Sequence, residues 1–150
     1  MIFSTVYKIP SFVLDKLHVL SSLLKERKTE YEAFAGKLEN KELKRTVLTL
    51  AQETNQYSIE LSSQLETMGG RPGTVTETAD GIDADKIMVS EEKDILKSCE
   101  LSEQKMITAY RNILNEPFLH ENLRSLIRSQ LNGLTFAFVQ LKLLNTSFHR

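Results

Sequence analysis

From Asn40 to Met68 apolar residues recur at spacings of three, four or seven: Leu43, Val47, Leu50, Tyr57, Leu61, Leu65 and Met68. That period puts them on one face of a single helix. A helix of about 28 residues is ~42 Å long, which is long for a globular protein. A stripe of that length needs helices of similar length beside it, so the chain is expected to fold as a helical bundle. Asn40 is the expected cap, and Gly69, Gly70 and Pro72 mark the stop.

Three more stretches carry the same period. The first runs from about Ser11 to Phe34, on Val13, Leu17, Leu20, Leu24, Tyr31 and Phe34. Ser11 is its expected N-cap, and Gly36 lies near its end. The third runs from about Glu91 to Leu114, with Ser90 as cap and Ile95, Cys99, Met106, Tyr110 and Ile113 as stripe. The fourth runs from about Phe118 to Asn145, lined by Leu123, Ile127, Leu134, Phe138, Leu141 and Leu144. The connections near 35–40 and 115–117 are short and predict antiparallel pairs. Residues 69–90, rich in Gly, Thr and Asp, are long enough to cross the bundle. The expected fold class is all-α: an antiparallel four-helix bundle in one domain, 1–150, with residues 1–10 an N-terminal arm and 69–90 the central crossover. Spacing by itself leaves a simple up-down order and a ferritin-like order both open.

With 150 residues and a net charge of -1, the chain has no general attraction to nucleic acid or anionic membrane. Arg124, Arg128 and Lys142 are too scattered along the fourth segment to form a nucleic-acid patch. The N-terminal stretch lacks the basic leader and cleavage site of a signal peptide, and no run reaches 18 apolar residues. No membrane insertion and a cytoplasmic location are therefore expected. The lone Cys99 sits on the apolar stripe and reads as a small core residue, not a reactive thiol.

The chemistry worth testing is a metal site. A di-metal bundle needs carboxylates pointing inward from facing helices, completed by Glu-x-x-His pairs, because several anionic oxygens must offset two buried cations. Glu26, Glu53, Glu100 and Glu103 are the candidates from the first three helices. The fourth offers no partner: from Asn122 onward there is no Asp or Glu, and His149 is its sole histidine. His18 and His120 belong to no Glu-x-x-His pair. No metal and no catalytic residue are therefore expected, and the glutamates read as core-flanking charges, with Glu100 near Lys97 and Glu103 near Arg111. Tyr31, Tyr57, Tyr110 and Gln130 are the expected members of an interior polar layer, because buried polar groups need partners.

The segment CELSEQKMITAYRNIL resembles a bacterial ferritin-like four-helix family of unknown function, domain of unknown function 2383. Its pattern Cys-Glu-x-x-Glu-x-x-x-x-x-x-Tyr is matched by Cys99, Glu100, Glu103 and Tyr110. YEAFAGKL, with Tyr31 following Glu26, and the LETMGGRPG turn extend the resemblance over roughly residues 12–148. It implies a ferritin-like bundle and an association with stress or general bacterial physiology, but no substrate. Members often carry Glu and His in the last helix; this chain has Gly133, Phe136 and Phe138 there.

The stretch GLTFAFVQLKLLNTSF holds more apolar residues than one helix face can bury. Phe136, Val139 and Leu143 are left for another cover, either the arm with Ile2, Phe3, Val6 and Tyr7 or a second subunit. Two functions follow. The first is a non-catalytic bundle that associates with itself, as a homodimer, or with a partner. The alternative is a divergent Fe- or Mn-dependent oxidoreductase or metal-binding protein that uses Glu26, Glu53, Glu100 and Glu103.

Overall fold

In the computed structural model the described residues are 9–68 and 91–148. They form a four-helix bundle without strands: α1 Ser11–Lys37, α2 Lys41–Thr67, α3 Glu92–Leu114 and α4 Glu121–Phe148. Residues 1–8 of the expected arm (1–10), the crossover 69–90 with Ser90, Gly69, Gly70 and Pro72, and His149 lie outside the described residues.

The helix ends show which local signals acted. Asn40 caps α2 as expected, its Oδ1 accepting from the backbone N–H groups of Glu42 (3.0 Å) and Leu43 (3.1 Å). α1 starts differently. Pro10, not Ser11, holds the cap position, and its carbonyl accepts from the N–H groups of Val13 and Leu14, both at 3.0 Å. Proline's fixed φ sets the entry angle, and its carbonyl takes the first helical bonds. Gly36 lies inside α1, which ends one residue later at Lys37. At the other junction α4 begins at Glu121, after the expected Phe118. The His120 ring Nδ1 accepts from Asn122 N (3.1 Å), and the Arg124 guanidinium donates to the carbonyls of Leu114 (2.5 Å) and Glu116 (2.8 Å). Residues 115–120 are thereby held as a turn.

Each helix packs on two others, α1 and α4 both lying against α2 and α3. Side-chain pairs fix which ends meet. Lys16 near the start of α1 pairs with Glu116 just beyond α3. Tyr31 meets Ser102 midway, and Glu92 at the start of α3 accepts from the N–H groups of Glu39 and Asn40, both at 2.8 Å. Ser21 and Ser62, 3.0 Å apart, join α1 to the last turns of α2. The stripes read from the sequence converge on one core, in which Leu17, Leu24, Leu43, Val47, Leu61, Met106, Ile127 and Leu134 are fully buried. Tyr31 crosses that core to stack edge-on against Phe138 of α4, with ring centroids 6.3 Å apart.

Candidate functional site

Tyr31 and Tyr110 anchor two hydrogen-bonded sets of interior polar groups. Between α1 and α3, the buried Tyr31 hydroxyl lies 2.5 Å from Ser102 Oγ. Ser102 gives its own proton to the Cys99 carbonyl (2.9 Å), so Tyr31 is the donor to Ser102. Burial pushes the Tyr31 phenol above its ordinary range.

The second set ties α2, α3 and α4 together. Tyr110, fully buried on α3, donates to Gln130 Oε1 on α4 at 2.8 Å. Gln130 Nε2 donates to the Tyr57 carbonyl and to Glu60 Oε1, both at 3.1 Å. Both amide hydrogens are used and the amide oxygen is filled, which fixes the orientation of the side chain. Tyr57 itself is half-buried, and its hydroxyl enters the space above Gly133, where a Cβ would lie 2.0 Å from that oxygen. Gly133, inside α4, leaves the slot that the Tyr57 hydroxyl fills. The sequence pointed to Tyr31, Tyr57, Tyr110 and Gln130. Ser102, Glu60 and the slot at Gly133 were not legible, because each depends on which helix faces which.

Gly133→Ala is expected to destabilise the protein. The better helix propensity of alanine, worth about 1 kcal/mol, is offset by overpacking of about 1–3 kcal/mol. In a Tyr57→Ala background the same change is expected to stabilise. Urea unfolding of the four proteins reads that reversal of sign; destabilisation in both backgrounds would refute the slot.

The candidate metal ligands are dispersed. Glu100 is exposed, and Glu26 and Glu53 are half-buried. Desolvation raises the Glu53 carboxyl above its usual range, and Glu53 Oε1 makes no hydrogen bond among the described residues. Glu103 is only 4% exposed, yet it meets Lys142 of α4, whose Nζ lies 3.0 Å from Oε1. That corrects the expected neighbour, Arg111: a cation from the facing helix neutralises this carboxylate. Glu30, next to Glu26 on α1, pairs with the buried Arg27 at 3.2 Å; desolvation still leaves its carboxyl raised, against the opposing pull of Arg27. Two carboxylates are thus bound to the protein's own cations. Among the described residues no three His, Cys, Asp or Glu side chains form a metal-holding group, so these residues do not fit the di-metal centre of ferritin-like proteins. The opening bordered by Glu100, Glu103, Lys142 and Asn145 has room for about one water, too little for an organic substrate. Cys99 is buried, and desolvation, reinforced by Glu30, pushes its thiol up to about 12; it is poorly placed for nucleophilic work.

The outer surface differs in kind. On α4, Phe136 (64% exposed), Val139 (44%) and Leu143 (66%) stand outward at spacings of three and four residues. They form one stripe opposite the buried Leu134, Phe138 and Leu141. No helix of the described residues is long and apolar enough to cross a membrane. No known protein family matches this sequence, and no curated protein matches it significantly.

Proposed function

We propose that the chain is a non-catalytic, ferritin-like helical bundle that works by association, with itself or with a protein partner, in the cytoplasm. The outward stripe of Phe136, Val139 and Leu143 carries this reading. Contiguous exposed apolar side chains at helical spacing mark an interaction surface, while the buried Tyr31, Tyr110 and Gln130 are engaged by hydrogen bonds within the bundle. The ferritin-like, antiparallel order is supported by the pairs that meet: the start of α1 with the end of α3, and the end of α1 with the start of α3. It is also supported by the pairing of α2 with α4 and by the ends of α2 and α3. The end of α2 lies beside the early part of α1, whereas α3 starts at the opposite end of α1. The end of α2 and the start of α3 therefore lie toward opposite ends of the bundle.

Sedimentation velocity tests the association. The native chain is expected to sediment as a dimer in the micromolar range. Phe136→Glu with Leu143→Glu is expected to give a folded monomer, because both positions are exposed and a charge there costs the fold little. An unchanged dimer in that variant would overturn the placement of the contact. The metal-dependent alternative, with Fe or Mn on Glu26, Glu53, Glu100 and Glu103, predicts stoichiometric uptake. Elemental analysis after supply of Fe(II) or Mn(II) is expected to find substoichiometric metal, and one or two tightly held ions per chain would reinstate that alternative.

A further inference from the structure

We propose that residues 1–8 dock against the Phe12–Phe118 pair, as a clasp that ties the start of α1 to the turn between α3 and α4. Phe12 on the first turn of α1 and Phe118 in that turn meet edge-on, with ring centroids 6.3 Å apart. Each is more than half exposed, at 52% and 54%. Ile9, the first described residue, packs on the core where α1 begins.

The covalent tether selects the occupant. Met1, Ile2, Phe3, Val6 and Tyr7 directly precede Ile9 in the chain. A segment on so short a link faces its patch at an effective concentration of about millimolar, which a free apolar partner has to outcompete. Reach excludes the other exposed apolar surface. Eight extended residues span at most about 28 Å. The pairing of Lys16 with Glu116 puts the start of α1 at the end of the bundle where α4 begins. Leu143 lies about 33 Å along α4 from Glu121. The arm therefore cannot span the outer stripe of α4, which stays open, whereas the Phe12–Phe118 pair is beside its root.

Backbone geometry picks the side chains. A residue before proline is held extended, so Ile9 continues the chain as an extended segment in which alternate side chains share a side. Ile9 is turned to the protein, and Tyr7 and Phe3 share its parity, whereas Ile2 and Val6 do not. Tyr7 and Phe3 therefore make the contact. Their rings add to an edge-on aromatic pair, a favoured arrangement.

Chymotrypsin, which cuts after Phe and Tyr, tests the clasp on the full chain, with the cut sites identified by mass spectrometry. Cleavage after Phe3 tracks the population of released arm. Phe12→Ser with Phe118→Ser, two exposed positions that the fold tolerates, is expected to speed that cleavage at least about tenfold. Tyr7→Ser, which leaves the bundle intact, is expected to speed it by a similar factor, and Val6→Ser by less than about twofold. Equal cleavage of the native chain and the Phe12→Ser/Phe118→Ser variant would overturn the clasp. Equal effects of Val6→Ser and Tyr7→Ser would overturn the contact through Tyr7. A native dimer that is lost in Phe12→Ser/Phe118→Ser would put a second chain on the pair in place of the arm, and would likewise overturn the proposal.

Discussion

Replacing Gln130 with leucine is expected to lower stability by about 3 kcal/mol. The substitution keeps roughly the right volume but removes the acceptor of the Tyr110 hydroxyl, which is fully buried. A buried donor left without a partner costs about 1–3 kcal/mol. The bond to the Glu60 carboxylate is lost as well, and a bond to a charged group is among the stronger ones. The same logic predicts a rescue. Tyr110→Phe removes the stranded hydroxyl, so the double variant Gln130→Leu/Tyr110→Phe is expected to be more stable than the sum of the single effects, by about 1–2 kcal/mol. Urea unfolding of the four proteins completes the cycle. Strict additivity would mean that the two side chains do not share a bond of consequence.

Alkaline pH is expected to unfold the protein more steeply than its composition suggests. Cys99, Tyr31 and Tyr110 are all fully buried, and desolvation raises all three: the thiol to about 12 and both phenols above their ordinary range. Below about pH 8 these groups hold their protons in both states, and their contribution to stability is complete. Through pH 9 the unfolded chain loses the Cys99 proton while the folded chain keeps it, and through pH 10 the two tyrosines follow. Stability then falls by about 1 kcal/mol per pH unit for each group. The combined loss by pH 11 is on the order of 5 kcal/mol, comparable to the whole stability of many domains. Stability measured in urea between pH 8 and pH 11 should trace this decline, and Tyr110→Phe should make it shallower. A level profile from pH 9 to pH 11 would show that these groups ionise as freely in the folded protein as in the unfolded one.

Much of the bundle is legible in the amino-acid order because helical periodicity is local. Leu43, Val47, Leu50, Leu61 and Leu65 define the inner face of α2 by spacing, and all of them are buried. Asn40 reads as a cap because its side chain needs only the backbone two and three residues ahead. The exposure of Phe136, Val139 and Leu143 is equally a matter of helix geometry, since they lie opposite Leu134, Phe138 and Leu141. Helix ends proved less legible where several signals compete, as at Pro10 beside Ser11 and at His120 after Phe118.

Partnership across helices was decided only by the tertiary structure. Nothing local ties Lys142 to Glu103, 39 positions away, or Glu60 to Gln130, 70 positions away. The lack of Asp and Glu in α4 could be read directly from the order of residues. That α4 instead supplies a lysine to a buried glutamate, an amide to a buried tyrosine and a glycine slot to another could not. A sequence fixes the face that each residue takes on its own helix. The packing of four helices fixes which faces meet, and that meeting determines whether a glutamate is a free carboxylate or one half of an ion pair.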